Sequence, residues 1–426
     1  MNSHLPTNPA AMSDRLSAPA TAASTPEADL AAPARRRFMR LTGGGVVMAA
    51  ASSTSLLAGC ASGYPEAAVA AWRQPVDDQG DVRRFALAHA LLSPNPHNRQ
   101  PWIADLSRPG EITLGCDLQR LLPETDPHGR QILIGHGAFL ELLVIAAAER
   151  GYRAEVVAFP AGEPSAQALD ARPVARIVLQ ADAQLARDPL FAQIHRRHTH
   201  KGRYDAARGL APDHAQALRA VLAGSADLSG GLVLDAPTRQ LVSRLARQAY
   251  EAEMATPRTY LESARLFRIG PDEITRYRDG IAINGLMPRL LSAVGLFDRH
   301  QVPVPGDAVW RQVMDRWADF DTGSGYVWIA SRDAGRRAQL AAGRAYVRLH
   351  LAATSLGVDM QPLSQALQEF AEVSGPYAEI HHLLGLDPQR SPLQMLARVG
   401  YGVGSAPATP RRGLAALLAP GAAASA

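Results

Sequence analysis

A ten-residue segment beginning at Ser93 concentrates side chains that could bind a polar ligand. It reads Ser-Pro-Asn-Pro-His-Asn-Arg-Gln-Pro-Trp and ends at Trp102. Its prolines and asparagines disfavour a regular helix or a central strand, so we predict an ordered loop. The amides of Asn98 and Gln100 both donate and accept hydrogen bonds, which suits a planar heterocycle with mixed donor and acceptor edges. The simpler interpretation is a rigid connector, with Trp102 as its anchor in the core.

A basic cluster follows about a hundred residues later, between His195 and Tyr204. It contains several arginines, one aliphatic hydroxyl (Thr199) and Lys201, the only lysine of the chain. Such a set can bind a phosphate through charge-assisted hydrogen bonds, although a solvated basic helix end would look similar. Its three histidines do not have the spacing of a standard zinc site, so we predict no metal. Arg411 and Arg412 could add two more cations to an anion site.

The elements that must position these residues include two similar helices. Gly137–Gly151 and Gly343–Gly357 each have helical periodicity, alanine-rich centres and glycines fourteen residues apart. The final glycine of each segment is suited to end a helix. We interpret the pair as an internal repeat, while two unrelated alanine-rich core helices would also look alike.

The remaining pattern predicts mixed α and β structure. A hairpin is expected around Pro109-Gly110, because turn residues there separate two runs with strand character. Further helices are predicted over residues 83–92, 213–222 and 238–254, and further strands over 154–159, 174–180, 326–330, 359–363 and 394–399. Residues 256–306 repeat nothing in the first half, so we interpret them as an inserted lid.

Composition narrows the function classes. The chain has 426 residues, 47% hydrophobic and 20% charged, which fits a globular protein with a large core. The net charge of +4 is small for this length and no dense basic stripe is present, so nucleic acid is not an expected partner. Only two cysteines occur, which excludes a disulfide framework.

Residues 1–60 have the features of an export signal. Arg35-Arg36, with Phe38 two places on, resembles the twin-arginine signal, and a moderately apolar stretch follows from Leu41 to Gly59. That stretch ends in Leu-Ala-Gly-Cys, which resembles a lipoprotein processing box with Cys60 as the lipidated residue. We therefore expect a periplasmic or membrane-anchored protein that engages the twin-arginine machinery and meets the membrane only through its signal or lipid.

Together the motifs resemble those of the nitroreductase-like family of FMN-binding proteins. The loop Ser93–Trp102 is similar to the family's Ser-Pro-Ser-Ser-x-Asn-x-Gln-Pro-Trp, and Arg197–Tyr204 is similar to its Arg-x-Ser-x-Arg/Lys-x-x-Phe/Tyr motif. Gln361–Ser364 resembles the turn whose backbone faces the flavin. The resemblance implies FMN as cofactor and an α+β fold with central antiparallel sheets flanked by helices.

The resemblance also implies the residues that contact FMN. Arg197, Lys201, Arg411 and Arg412 would hold the phosphate, helped by His198 and Thr199. The loop would reach the ribityl chain and ring, and a backbone N–H at the turn would bond the flavin N5. The full set is Asn95, Pro96, Asn98, Gln100, Arg197, His198, Thr199, Lys201, Gln361, Leu363, Ser364, Arg411 and Arg412. No protein side chain is assigned a catalytic role, because the cofactor carries the chemistry.

The chain departs from the family loop at Asn95 and Pro96, which replace two serines. Leu363 and Ser364 stand where the family turn has glycine. These changes favour flavin binding over catalysis.

Ordinary members of the family are homodimers whose flavin sites combine loop and phosphate motif from different subunits. Here one chain carries both, so it resembles the Acg branch, a fused pseudo-dimer expected to be monomeric with one FMN. We assign residues 61–184 to a first half and 185–426 to a second half that includes the lid 256–306.

The resemblance implies an oxidoreductase acting on nitro- or quinone-like aromatic acceptors. The alternatives are a flavin-sequestering or storage protein with little turnover, and a membrane-anchored electron-transfer protein served by a protein electron donor. A lid over the flavin, and an export route that leaves nicotinamide donors behind, would favour the alternatives.

Overall fold

The computed structural model describes residues 63–419, apart from residues 74, 75, 77, 225 and 296. The predicted export signal, including Cys60, lies outside the described residues. The described residues all belong to one unit, Gly59–Ala426.

Helices and strands alternate along the chain in two similar series. The helices are α1 Glu66–Val69, α2 Val82–Ala90, α3 Arg130–Glu149, α4 Pro212–Leu222, α5 Ala236–Ala255, α6 Pro257–Arg265, α7 Gly270–Tyr277, α8 Leu286–Ala293, α9 Ala308–Asp315, α10 Trp317–Phe320, α11 Arg336–Ser355 and α12 Ser374–Leu383. The strands are β1 Trp102–Asp105, β2 Glu111–Cys116, β3 Tyr152–Ala158, β4 Ala175–Ala181, β5 Leu228–Val233, β6 Phe267–Ile269, β7 Ile281–Ile283, β8 Gly325–Ser331, β9 Asp359–Pro362 and β10 Leu393–Gly400.

Two four-stranded antiparallel sheets share one topology. The first has the spatial order β1-β2-β4-β3 and the second β5-β8-β10-β9. Taken in chain order, the strands of each sheet occupy the same positions. The predicted α+β class with central antiparallel sheets flanked by helices is confirmed. The helices and strands predicted from periodicity all form. Most ends shift by no more than two residues, whereas α3 and α11 begin seven residues before the predicted Gly137 and Gly343.

The two long helices α3 and α11 also correspond, since α11 begins and ends 206 residues after α3. The carboxylate of Asp126 accepts from the N–H groups of Gln131 and Ile132 and so caps the start of α3. Both helices are followed by a glycine with positive φ, Gly151 at 73° and Gly357 at 67°, as the sequence predicts.

α3 and α11 cross at their glycines. A Cβ on Gly137 would collide with the carbonyl oxygen of Leu340, and a Cβ on Gly343 would collide with the carbonyl oxygen of Ile134. Leu340 lies 206 residues after Ile134, so the same contact is made twice, as it would be across a two-fold interface. The hydrophobic core of the first half includes Leu340 and other α11 residues, so the two halves share it.

α3 is the one helix among the described residues that is long and apolar enough to cross a membrane. Its most apolar 18-residue stretch is 83% buried inside the protein, as expected of a core helix.

The halves differ most in one connection. Residues 106–110 join β1 to β2, whereas residues 234–324 join the corresponding strands β5 and β8. We call residues 234–324 the insertion; it contains α5 to α10 and the two-stranded parallel sheet β6-β7. The expected lid, 256–306, is the middle of this longer segment, because the helices on either side of it also lie between β5 and β8.

Candidate functional site

The Ser93–Trp102 loop is ordered, with a strained backbone. His97, Asn98 and Gln100 have φ values of 45°, 50° and 51°, in the left-handed region that favours glycine. Such residues cost about 1–3 kcal/mol each and persist only where the surroundings impose the conformation. The loop is therefore held in shape by its neighbours.

The predicted ligand-binding amides supply that restraint. Asn95 Oδ1 accepts a hydrogen bond from the backbone N–H of Gln100 at 2.7 Å, which connects the two ends of the loop's central segment. Asn98 Nδ2 donates to the carbonyl of Pro410 at 3.0 Å, and its Oδ1 accepts from Arg411 at 3.0 Å. The buried Gln100 accepts from the N–H of Arg412 at 2.9 Å. The structure thus brings the loop together with the C-terminal arginines, and a ligand that bonded these amides would have to replace protein partners.

Arg411 lies under the loop and is only 3% exposed. Its guanidinium donates to the carbonyl oxygens of Leu91, Leu92 and Ser93, at distances of 2.9–3.1 Å. These carbonyls follow the end of α2, where backbone oxygens lack helical partners.

Arg197 reaches the same place from the basic cluster and is only 2% exposed. Its Nη2 donates to the carbonyl of Leu92 at 2.8 Å, so Arg197 and Arg411 share one acceptor. Its Nε is buried and has no hydrogen-bond partner among the described residues. The guanidinium carbons of Arg197 and Arg411 lie 5.7 and 5.1 Å from the ring centre of Trp72.

Neither arginine has a carboxylate partner in the described part of the chain. Burial lowers the pKa of Arg197 to about 10. Burial, with repulsion from Arg197, lowers the pKa of Arg411 to about 9. Two buried cations without a counter-charge are costly, and an anion would relieve that cost. Together with the unpaired Nε of Arg197, they fit a phosphate.

Sequence reasoning missed three residues of this cluster: Trp72, Tyr346 and His350. His350 Nε2 donates to the carbonyl of His198 at 3.0 Å, which leaves Nδ1 as the acceptor facing Arg197 at 3.5 Å. Burial, then the charge of Arg197, holds the pKa of His350 well below its usual range. Tyr346 has a buried hydroxyl with no partner among the described residues, and burial raises its pKa. Polar side chains four residues apart inside a buried helix were the signal available for the last two.

The rest of the basic cluster runs beside β9. Thr199 pairs with Met360 in a parallel bridge, and His198 stacks on Trp72 with ring centres 5.2 Å apart. Lys201 is exposed, and its charge reaches His97 in the loop. Burial, followed by the positive charges of Lys201 and Arg99, lowers the pKa of His97 to about 4.

In the turn after β9, two of the predicted flavin-contacting residues already have hydrogen-bond partners within the protein. Gln361 Oε1 accepts two hydrogen bonds from Arg398, at 2.9 and 2.6 Å. The N–H of Leu363 donates to the carbonyl of Leu396 at 2.9 Å, so it is already paired. The backbone N–H of Ser364 has no hydrogen bond among the described residues, which leaves it as the donor of this turn.

The insertion covers the loop on its remaining side. The N–H of Gly280 donates to the carbonyl of Asn98 at 3.2 Å, and Gln100 Nε2 donates to the carbonyl of Arg278 at 2.8 Å. Asp279 between them pairs with Arg120 at 2.7 Å and with Arg268 at 2.9 Å. The candidate site is therefore assembled from both halves, and the insertion contacts its loop through Arg278 and Gly280.

No family model matches the chain. Over 337 residues it is 26% identical to "Putative NAD(P)H nitroreductase Rv3131" of Mycobacterium tuberculosis, a match that covers 78% of this chain and 89% of that protein. It is also 38% identical over 80 residues to "Putative NAD(P)H nitroreductase acg" of the same organism, which is 19% of this chain and 24% of acg.

Solved structures show only distant likeness. The FMN-dependent nitroreductase NfnB of Mycobacterium smegmatis, in complex with NADPH, is 16% identical with a TM-score of 0.32, covering 53% of this chain and 94% of NfnB. A nitroreductase-named protein of Anabaena variabilis is 11% identical with a TM-score of 0.34, covering 69% of each chain. The chain is thus similar in sequence to Rv3131 along most of both chains and to acg over a short segment of each.

Proposed function

We propose that the protein is an exported, FMN-binding oxidoreductase of the nitroreductase type, with one FMN per chain and nitro- or quinone-like aromatic acceptors. The observation that carries this proposal is the buried pair Arg197 and Arg411, which share the Leu92 carbonyl and have no carboxylate partner among the described residues. The sequence relatives bear the name NAD(P)H nitroreductase, and the proposal extends that activity to this chain.

In this proposal Arg197 and Arg411 hold the FMN phosphate, with Lys201 and Arg412 at its edge and His198 and Thr199 beside it. Asn95, Asn98 and Gln100 reach the ribityl chain and ring by exchanging their present partners. Ser364, rather than the already paired Leu363, supplies the backbone N–H to the ring. When bound, FMN supplies the two-electron chemistry, so the chain needs only to bind, orient and shield.

The first experiment measures flavin content in matched variants of neighbouring arginines. Arg197→Ala should lower the FMN content at least tenfold, because it removes a buried donor that no carboxylate neutralises. Arg196→Ala is the control, since Arg196 is exposed and, among the described residues, its side chain hydrogen-bonds only to Gln193. Riboflavin, which lacks the phosphate, should bind far more weakly than FMN. A colourless protein that cannot be loaded with FMN would contradict the proposal.

A second candidate function is flavin storage or sequestration with little turnover. It is favoured by the insertion, whose residues 278–280 bond directly to the loop at Asn98 and Gln100. In this case NADPH should bleach the bound flavin slowly while dithionite bleaches it fully. A membrane-anchored electron-transfer protein would behave the same way until its protein donor was supplied.

The variant Asp279→Asn separates storage from catalysis. It removes a buried carboxylate that ties the insertion to Arg120 and pairs with Arg268 within the insertion, so it should loosen the cover over the loop. If occlusion blocks turnover, the rate of NADPH bleaching should rise severalfold, while the exposed control Asp272→Asn leaves it unchanged. An unchanged rate in Asp279→Asn would mean that the insertion is not the block.

Export by the twin-arginine route and lipidation of Cys60 are part of the proposal. The test is the mass of the N-terminal peptide of protein recovered from the cell envelope. An acylated peptide that begins at Cys60 is expected, and unprocessed protein in the cytoplasm would rule out export.

A further inference from the structure

Exposed apolar side chains are concentrated in one part of the insertion. Nine large hydrophobic residues are exposed among the described residues, and six of them lie between Tyr277 and Val309. The other three, Leu118, Leu241 and Val403, are scattered along the chain. Scattered exposed residues need no explanation, whereas a concentration of them indicates an interaction surface.

Three of the six form a stripe along α8, with Leu286 and Leu290 in the helix and Val294 directly after its last residue. Leu286, Leu290 and Val294 are 61%, 52% and 67% exposed, and their spacing of four residues places them on one face of the helix. α8 buries none of its side chains and contains one arginine, Arg289, and no acidic residue. We call Leu286, Leu290 and Val294 the α8 stripe.

The described chain begins directly beside this helix. The carbonyl of Gly63 accepts from Asn284 Nδ2 at 2.7 Å, and the hydroxyl of Tyr64 donates to the carbonyl of Ala282 at 3.3 Å. Asn284 lies two residues before α8. Cys60 lies three residues before Gly63, a separation that the chain can span over at most about 10 Å. A lipid on Cys60 would therefore enter a membrane close to the α8 stripe.

We propose that α8 lies on the surface of the lipid bilayer beside the Cys60 anchor, with the α8 stripe inserted among the acyl chains and Arg289 at the headgroups. The role of the anchor in this inference rests on the proposed export and lipidation. An apolar helix that contacts lipid next to an anchor adds a second membrane signal and sets the face of the protein that meets the bilayer.

A second copy of the chain fits the stripe less well. Stable protein interfaces bury about 800 Å² on each partner, more than one short helix supplies. Insertion into lipid needs no complementary partner surface, and its strength grows with the apolar area buried.

The test places an environment-sensitive fluorophore on Val294→Cys, in the processed protein reconstituted into phosphatidylethanolamine and phosphatidylglycerol vesicles. The matched control is Val403→Cys, because Val403 is 62% exposed and lies outside the insertion. The native Cys116 is buried and should not react. Spin-labelled lipid should quench the fluorophore at position 294 at least fivefold more strongly than at 403. Equal quenching at the two positions would overturn the inference.

Two further measurements complete the test. Adding Leu286→Ser and Leu290→Ser should reduce the quenching at position 294 to the level of the control, with the thermal unfolding midpoint unchanged. Energy transfer between labelled copies that rises with protein concentration and survives in lipid would indicate self-association and also overturn the inference.

Failure of the proposed lipidation can be distinguished from failure of the α8 contact with lipid. It is detected by the mass of the N-terminal peptide, independently of quenching. A Cys60→Ser chain added to the same vesicles still reports whether position 294 contacts lipid. Unacylated protein with quenching at 294 would support the α8 contact without the anchor, while acylated protein without quenching would refute the α8 contact alone.

Discussion

Individual residues of the loop combine strain with restraint. His97, Asn98 and Gln100 occupy left-handed conformations although none is glycine. Asn98 and Gln100 are each held by Arg411 or Arg412 and by backbone carbonyls of distant segments. The amides that would recognise a ligand therefore also fix the loop, and ligand binding is coupled to loop conformation.

Glu253 is the clearest case of a single residue that couples stability to pH. It is 2% exposed, accepts hydrogen bonds from Gln368 and Ser263, and has a pKa raised to about 7, mainly by burial. Because the folded protein holds this proton more tightly than the unfolded chain, the stabilising effect is complete below pH 4.5. It is lost as the pH rises through 7.

The variant Glu253→Gln removes that titration. We expect it to raise the free energy of unfolding by about 3 kcal/mol at pH 8 and to leave it nearly unchanged at pH 4, since the neutral acid and the amide are similar. Chemical denaturation at the two pH values measures the difference. Glu251→Gln is the control, because that carboxylate is 40% exposed and paired with the exposed Arg247. An equal effect at both pH values would contradict the assignment.

At the scale of elements, the crossing of α3 and α11 determines how closely the two halves approach. Gly137 and Gly343 allow the helix backbones to touch, and each glycine meets the carbonyl of the residue three positions before the other glycine. Arg130 and Arg336, the first residues of the two helices, each donate to carbonyls of the opposite half, at Gln394 and at Ser165.

We expect Gly343→Ala to lower the free energy of unfolding by about 3 kcal/mol or to prevent folding, because a methyl group there would overlap the carbonyl oxygen of Ile134. The control is Gly375→Ala in α12, where no atom lies within 4 Å of the added carbon and alanine favours the helix. Denaturant midpoints of the two variants and the parent measure the effect. Equal stability of all three would show that the helices can separate without cost.

At the scale of the whole molecule, two sheets of one topology and a reciprocal helix crossing give the chain the form of two fused halves. The Ser93–Trp102 loop has no counterpart in the second half. Residues 91–101 join α2 to β1, whereas the shorter segment 223–227 joins the corresponding elements α4 and β5. The first half therefore contains the Ser93–Trp102 loop, while the second half contains the insertion.

We expect about one FMN per chain and a solution mass of one chain, 45.5 kDa before any processing. Released flavin per protein and light scattering measure these two values. Two flavins per chain would mean that a second site forms without the loop. A dimer mass would mean that the fused halves still require a second chain.

The sequence by itself determined the α+β class, most helices and strands, the internal repeat and the two motifs of the site. Those features depend on local periodicity, turn residues and spacing, which can be seen in a single chain. The glycines Gly151 and Gly357, for example, marked the helix ends because their backbone conformation disfavours other residues.

Only the tertiary structure decided how the site is assembled. In the structure, Arg197 and Arg411 donate to the same carbonyl, that of Leu92. Trp72, Tyr346 and His350 lie in the same cluster. The N–H of Leu363 is hydrogen-bonded to the carbonyl of Leu396. The tertiary structure also extended the insertion to residues 234–324 and placed its backbone on the loop. These contacts join residues far apart in the chain, so they depend on packing between the halves. Apart from the four-residue spacing of Tyr346 and His350, they leave no local pattern in the sequence.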